Sequence, residues 1–382
     1  TVAPRNAPTN KLRRSLHILA TAIGHHGCPI KTAQTNGMTQ HKEDATIENE
    51  ISDMQIHNPR FLEDESIQFT IPNPEMLEDI LDADENIEAY CLRVKATGMA
   101  STAHSGNGVM INGINPETEQ MVTAIHNKLT EGSYFEKSSR IPSIVIGHKL
   151  AEHLKTGIGK KVVLTTAALD GETSQSLFRV EGIFRTSNTV FDELNVFINS
   201  EQLIKMVAPD SNIVSEVAIR YIDRDDIEAE KTKLEEAFPG LSVLTWKELA
   251  PTVLALVGMI DQFGFILIFI ILLALAFGII NVMLMVIIER TRELGMLMAI
   301  GMNRFKVFRM IMLETIYMSI TGAVIGVALS VLTIALTSRE GINFAAYSEG
   351  FEALGYSAHV FPVIEATFYI FLGIMVIIAA ML

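Results

Sequence analysis

The chain has 382 residues, a formal net charge of −14, and 49% hydrophobic beside 19% charged residues, which excludes a uniform soluble globule and implies one polar and one apolar part. Residues 45–250 hold 34 acidic and 18 basic side chains, and a polyanionic region of that size excludes nucleic acid as a partner, because phosphate backbones demand basic footprints. Only Cys28 and Cys91 occur, so no disulfide framework carries the fold and no Cys/His spacing suggests zinc.

The N-terminal flank carries Arg5, Lys11, Arg13 and Arg14. The stretch that follows, Ser15 to Met38, is interrupted by His25, His26, Pro29, Lys31 and Gln34, and hydropathy alone does not make it a membrane span. Placed on a helix, His17, Thr21, His25, Cys28, Thr32 and Thr35 share one side, which suits a face turned to protein rather than lipid. A crossing is expected within residues 1–44; an interfacial or partly disordered arm is the alternative. A signal peptide fits less well, since no clean apolar core precedes a small-residue cleavage site.

Residues 45–250 read as a mixed α/β (α+β) domain. Strands are expected at Ser66–Ile71, Ala89–Thr97, Val109–Ile114, Ser143–Ile146, Lys161–Thr166, Ser176–Ile183, Leu194–Ile198 and Val217–Tyr221. Helices are expected at Asn73–Leu81, Pro116–Leu129, His148–Leu154, Ser200–Met206 and Asp225–Phe238, two of them announced by Asn115-Pro116 and Asn199-Ser200. No catalytic constellation appears. Gly157-Ile158-Gly159-Lys160-Lys161 lacks the first Gly and the Ser/Thr of a phosphate loop, so a turn into a strand is the expectation. His104-Ser105-Gly106 is not a nucleophile elbow, because no Gly stands two residues before the Ser. His148 and His153, five apart, do not share a helix face for a metal.

The membrane signal lies after residue 250. Phe263 to Ile288 has no charged side chain, and Met310 to Thr337 has only Glu314. About 20 apolar residues cross a hydrocarbon core as a helix, and lipid leaves backbone groups no other partner. Between the runs, residues 289–309 carry Arg290, Arg292, Arg304, Lys306 and Arg309 against Glu289 and Glu293, which marks a cytoplasmic side. The connector 338–360 has Arg339 against Glu340, Glu349 and Glu352, and residues 361–382 form a last apolar run. The expected order is therefore a flank and first span in 1–44, an outside domain in 45–250, spans in 251–288, 310–337 and 361–382, a cytoplasmic connector in 289–309 and an outside loop in 338–360. Glu314 is expected to be neutral, hydrogen-bonded near the interface, or paired with a base on the connector. Gly322 and Gly326 form a small-xxx-small face for helix packing.

The string Ile287 to Thr315, IIERTRELGMLMAIGMNRFKVFRMIMLET, resembles the signature of the ABC permease family that includes the FtsX, MacB and lipoprotein-releasing membrane subunits. The matching positions are Glu289, Arg290, Arg292, Glu293, Gly295, Ala299, Gly301 and Glu314. Asn112-Gly113-Ile114, the Ser143–Gly147 segment, Gly157-Ile158-Gly159 and Phe178–Phe184 follow the MacB-type extracytoplasmic pattern in order. The resemblance implies a membrane protein with a four-helix transmembrane bundle and an extracytoplasmic domain having a porter-like part and a second, inserted part. It also implies a cytoplasmic coupling helix, with Leu294, Met296, Leu297 and Ile300 apolar beside Arg290, Arg292 and Glu293, seated in a groove of an ATPase; an ordinary basic loop on lipid head groups is the alternative. Gly301 lets the chain turn before the next helix.

By the same resemblance the chain is a non-catalytic permease working by mechanotransmission in a bacterial inner membrane. ATP and Mg are expected on a separate cytoplasmic ATPase, since no ATPase motif occurs in this sequence. A second permease copy or paralogue and membrane lipid are further expected partners. Lipoprotein release toward a periplasmic carrier is the preferred role, with a lipoprotein as substrate. MacB-like tripartite efflux and FtsX-like regulation of a cell-wall hydrolase are the alternatives.

Overall fold

The computed structural model describes residues 7–64, 67–136, 140–209, 211–224 and 226–381. Arg5, Ser66, Asp225 and Leu382 lie outside the described residues, as do the side chains of Lys11, Arg13, Arg14, His17, Glu349 and Glu352. The chain divides into two compact units. One comprises residues up to 40 with 255–346 and 358–382, and the other residues 41–254 with 347–357.

The first elements are α1 (Ala7–Thr46), a π-turn (Ile47–Ile51), β1 (Met54–His57), α2 (Phe61–Asp64), α3 (Pro74–Asp82), β2 (Ile87–Ser101), β3 (Gly106–Ile114) and α4 (Pro116–Val122). There follow β4 (Leu129–Gly132), β5 (Ser143–Gly147), α5 (His148–His153), β6 (Lys161–Ala167), β7 (Thr173–Phe184), α6 (Thr189–Leu194), β8 (Asn195–Asn199) and α7 (Ser200–Val207). The chain continues through β9 (Glu216–Tyr221), α8 (Ile227–Ala237), β10 (Ser242–Thr245), α9 (Trp246–Leu249), α10 (Pro251–Glu289), α11 (Thr291–Ala299) and α12 (Arg304–Glu340). It closes with β11 (Ile342–Asn343), α13 (Ser348–Ala353), β12 (His359–Val360) and α14 (Ala366–Met381).

The α/β unit has two cores sharing one long strand. In the first, β1–α3–β2 and β9–α8–β10 form a β-α-β-β-α-β pattern with strand order β10-β1-β9-β2, antiparallel throughout. Met54, Ile56, Leu77, Leu81, Val217, Ile219 and Leu234 fill it. In the second, β2 pairs β3, β3 pairs β8, β8 pairs β5, β5 pairs β7, β7 pairs β6, and β6 returns to β2. That circuit is closed, so the strands form a barrel without free edges, packed with Ile111, Ile144, Ile146, Leu164, Phe178 and Ile198. The N-terminal half of β2 serves the first core and its C-terminal half the barrel, with β9 pairing up to Arg93 and β6 entering at Gly98. Gly98 is required there. A Cβ would stand 2.5 Å from the Thr165 carbonyl oxygen and 2.8 Å from Ile111 Cδ1.

Several sequence expectations need correction. The described part of the expected Ser66–Ile71 strand is turn and coil, because Pro72 and Pro74 remove donors and Ile71 N–H makes a single backbone bond, to the Val214 carbonyl at 2.7 Å. The helix expected to reach Leu129 stops at Val122, where Thr123 turns extended, and a 3₁₀ turn and β4 follow. Strands β1, β4 and β10 were not expected. Each has four residues, and the fully buried β1 contains Gln55 and His57, so neither alternation nor hydrophobicity betrays it. Asn115 and Asn199 do cap their helices, accepting from the Glu117 and Glu201 amides.

In the helical unit, α10 and α12 are long and apolar enough to cross a membrane. One apolar cluster draws on α1 (Cys28), α10 (Ile268, Leu272, Leu275), α12 (Met318) and α14 (Leu372). Helix α1 is continuous through Pro29, and Thr21, His25, Cys28 and Thr32 are buried, so its polar stripe does face protein. Gly322 and Gly326 lie against this helix. A Cβ on Gly322 would approach Thr21 Cβ to 2.7 Å, and one on Gly326 would approach the Ala22 carbonyl oxygen and His25 Cβ to 2.5 Å each. Residues 361–365 are not helical, and the Val363 N–H donates to the Ala33 carbonyl at 2.9 Å. Helix α12 begins at Arg304 rather than Met310, which leaves the connector as the nine-residue α11 and a tight turn.

Candidate functional site: the α11 hairpin and a groove beside α1

Helix α10 ends at Glu289, which is exposed. Arg290, the residue before α11, donates from Nε to Glu293 Oε2 at 3.1 Å and from Nη1 to Glu314 Oε2 at 2.8 Å. One guanidinium therefore joins the first turn of α11 to a half-buried carboxylate ten residues into α12. Of the sequence alternatives for Glu314, the structure adopts pairing with a base on the connector. An arginine suits this task because its planar fork offers separate donors to two acceptors. The hydrogen bond that Arg290 donates to Glu293, then the one it donates to Glu314, raise the Arg290 pKa further.

The apolar side chains of α11 divide by face. Leu294 is buried and Leu297 half-buried, whereas Met296 and Ile300 stand out at 59% and 79% exposure beside exposed Arg292 and Glu293. Gly295 has open space where a Cβ would go. The helix ends in a Schellman motif: Met302 N–H donates to the Leu297 carbonyl at 3.0 Å and Gly301 N–H to the Met298 carbonyl at 3.1 Å. Gly301 has φ +102°, a conformation that a side chain disfavours. Asn303 then caps α12, its side chain accepting from the Phe305 amide. Phe305 and Phe308 continue the exposed apolar surface on α12.

A second feature of the helical unit is a groove of about 440 Å³ between α1, α10 and the start of α14. Phe265, Ile268, Phe368 and Phe371 wall its apolar part; Lys31, Asn36, Asp261 and Glu365 line its polar part. Lys31 Nζ lies close to Gly264, 3.1 Å from where a Cβ would stand. Sequence reading noted Lys31 only as an interruption of a span. Nothing in sequence spacing brings it to Asp261.

The α/β unit holds a buried ionic cluster that sequence reading missed. Arg93 on β2 makes two bonds to Glu119 of α4, Nε to Oε2 at 2.9 Å and Nη2 to Oε1 at 2.7 Å, and a third from Nη1 to Glu216 Oε1 on β9 at 2.6 Å. Lys95 Nζ lies 2.5 Å from Glu216 Oε2. The Cys91 thiol and Thr123 hydroxyl donate to Glu119. Burial alone would raise the Glu216 carboxyl, but Lys95 and Arg93 bring it down to about 2. Burial also drives His57 down to about 4. The sequence placed Ala89–Thr97 in a strand, but nothing in it showed that Arg93 turns inward.

Among the described residues no group of three His, Cys, Asp or Glu side chains is placed to hold a metal. His148 contacts Asp192 Oδ2 at 2.8 Å and His153 contacts Glu193 Oε1 at 3.1 Å, so these two histidines serve different acidic partners.

Comparison with known proteins agrees with both halves of the chain. Residues 32–237 match the MacB-like periplasmic core domain and residues 265–382 the FtsX-like permease C-terminal domain. An uncharacterised ABC transporter permease of Methanocaldococcus jannaschii is 27% identical over 161 residues, 41% of this chain and 40% of that protein. The macrolide export ATP-binding/permease protein MacB of Nitrosomonas europaea is 25% identical over 237 residues, 55% of this chain and 33% of that protein. The lipoprotein-releasing system transmembrane protein LolC of Buchnera aphidicola is 24% identical over 213 residues, 54% of this chain and 52% of that protein. The chain thus matches between 33% and 52% of the length of these relatives. With family models covering the α/β unit and the hairpin alike, this chain belongs to the ABC transporter permeases of the FtsX/MacB/LolC family.

Proposed function

We propose that this chain is the membrane lever of an ABC transporter that works by mechanotransmission and releases lipoproteins. In this reading α1, α10, α12 and α14 all cross a bacterial inner membrane as a four-helix bundle. The basic hairpin lies in the cytoplasm and the acidic α/β unit in the periplasm, as the charge distribution favours. The chain works as a dimer with a second copy or a paralogue. Separate ATPase subunits, carrying ATP and Mg, seat on α11 through Met296, Ile300 and Arg292. The observation that carries this reading is Arg290, held by Glu293 on α11 and Glu314 on α12, because a push on α11 is then delivered to a 37-residue helix as well as through the backbone.

A lipidated protein as cargo is supported by the Lys31 groove, whose aromatic wall suits acyl chains and whose polar part suits a head group and the adjoining peptide. The LolC match supports it too, reaching over half of that protein. A periplasmic carrier would receive the cargo. MacB-like efflux is the second reading, favoured by the 237-residue MacB alignment.

The test is co-purification in detergent followed by reconstitution. An ATPase subunit should co-purify, and proteoliposomes should release a triacylated lipoprotein to a soluble carrier in an ATP-dependent manner. Lys31→Glu should lower release while ATPase binding persists. Failure to retain an ATPase would sink the lever reading. Release of an apolar drug but not of lipoprotein would move the assignment to efflux.

A further inference from the structure

The α/β unit contains a groove of about 650 Å³ that none of the roles above uses. Its floor is apolar, made by Leu81, Ile87, Leu92, Val94, Ile204 and Ile213. Its rim is acidic. Glu75, Glu78 and Asp82 follow one another at i, i+3 and i+7 along α3, a row about 10 Å long at helical rise. Asp84 and Glu88 line the same groove, and among the described residues lining it there is no Lys, Arg or His.

Among the described residues, Glu75, Glu78 and Asp82 of this row have no ion pair with a Lys or Arg of the chain. Glu88 is answered by Arg220 Nε at 2.9 Å, and Asp82 accepts from a neutral donor, the Tyr90 hydroxyl, at 2.7 Å. Burial and then the like charges of Asp82, Glu75 and Asp79 push the Glu78 carboxyl upward. Burial, the Asp82 hydrogen bond and neighbouring carboxylates push the Tyr90 phenol upward as well. A row of like charges beside an apolar floor is unfavourable in isolation and becomes favourable when an occupant brings both complements.

We infer that this groove docks a basic amphipathic segment of a partner protein, with apolar side chains on the floor and two or three Lys or Arg side chains along the α3 row. Spacing decides between occupants. A single ammonium answers one carboxylate and leaves the rest of a 10 Å row facing each other, while a polyamine answers the row but leaves the floor wet. A segment with cations at helical spacing satisfies both. The inference does not depend on where the ATPase sits, and its readout is binding rather than ATP hydrolysis.

The test uses the full chain in detergent and the fluorescent peptide Lys-Leu-Leu-Lys-Leu-Leu-Lys, followed by anisotropy. The peptide should bind saturably, and its Glu-for-Lys analogue should not. Combining Glu75→Gln, Glu78→Gln and Asp82→Asn should weaken binding about tenfold or more, as should Ile204→Gln alone. Glu85→Gln, outside the groove, should leave affinity unchanged. Unfolding followed through Trp246, the chain's one tryptophan, checks that each variant is folded. Equal binding of the acidic analogue, or unchanged affinity in the folded triple variant, would overturn the inference. Displacement of the peptide by spermidine or dodecyltrimethylammonium at its own concentration would assign the groove to small cations instead.

Discussion

Arg290 and Glu314 meet at 2.8 Å, Nη1 to Oε2, across 24 residues of sequence, and this ion pair fastens the start of α11 to the third turn of α12. The pair is about one-quarter exposed on each side, so its worth to stability alone is modest, about 1 kcal/mol. Its value lies in geometry. Arg290→Ala and Glu314→Gln should each reduce coupled ATP hydrolysis in the assembled transporter, and the double variant should be no worse than the worse single one. Additive losses in that cycle would show that the two residues act separately.

The two glycines of the hairpin should behave oppositely toward stability. Gly301→Ala places a Cβ on a residue at φ +102° and should cost about 1 kcal/mol or more. Gly295→Ala fills open space inside a helix and should stabilise α11 by about 1 kcal/mol. If the bare backbone at Gly295 serves close approach of an ATPase, the same substitution should weaken ATPase binding, read by pull-down. Unaltered binding with Gly295→Leu would remove that face from the contact.

Gly326→Leu should separate α1 from α12, because the added side chain meets the Ala22 carbonyl and His25 where no space exists. The expected result is loss of folded protein in detergent by size-exclusion chromatography, with Gly278→Leu, which faces open space, as the tolerated control.

Acid should destabilise the α/β unit through His57. Its folded pKa is about 4 against 6.5 for the free side chain, so between those values the unfolded chain takes up a proton that the folded chain refuses. The stability it contributes is full above pH 6.5 and is lost as pH falls toward 4, about 3 kcal/mol across the window. Glu216, lowered to about 2 from 4.5, adds a second loss below pH 4.5. His57→Gln should flatten the slope of stability between pH 6.5 and 4.5, measured by urea unfolding through Trp246 fluorescence. An unchanged slope would show that His57 titrates normally in the folded protein.

Arg93→Met should be far more damaging than any surface change. It leaves Glu119 and Glu216 buried with fewer partners, at a cost of about 3–5 kcal/mol. Restoration of stability by the added pair Glu119→Gln and Glu216→Gln would confirm that the unpaired charges, not lost packing, are the cause.

The long-period features were legible in the sequence. The uncharged run before Ile288 could only be a helix, and β6 with the first half of β7 carries a clear alternation, because burial of one face writes a period into the residues themselves. The N-cap roles of Asn115 and Asn199 were legible for the same reason: the capping side chain bonds within three residues. Strand β1 was not, since four buried residues that include Gln55 and His57 carry no period.

Local chemistry and hydrophobic pattern thus determined by themselves that this chain has an acidic α/β part, apolar helices and a basic hairpin between two of them. Only the tertiary structure decided that Arg290 holds Glu314, that Arg93 turns inward to Glu119 and Glu216, that β6 closes a barrel onto β2, and that Lys31 shares a groove with Asp261. Each of these joins residues far apart in the chain. An ion pair has no sequence spacing of its own; it exists only when independent elements are packed by their apolar faces and their remaining charges must find partners in the space that packing leaves.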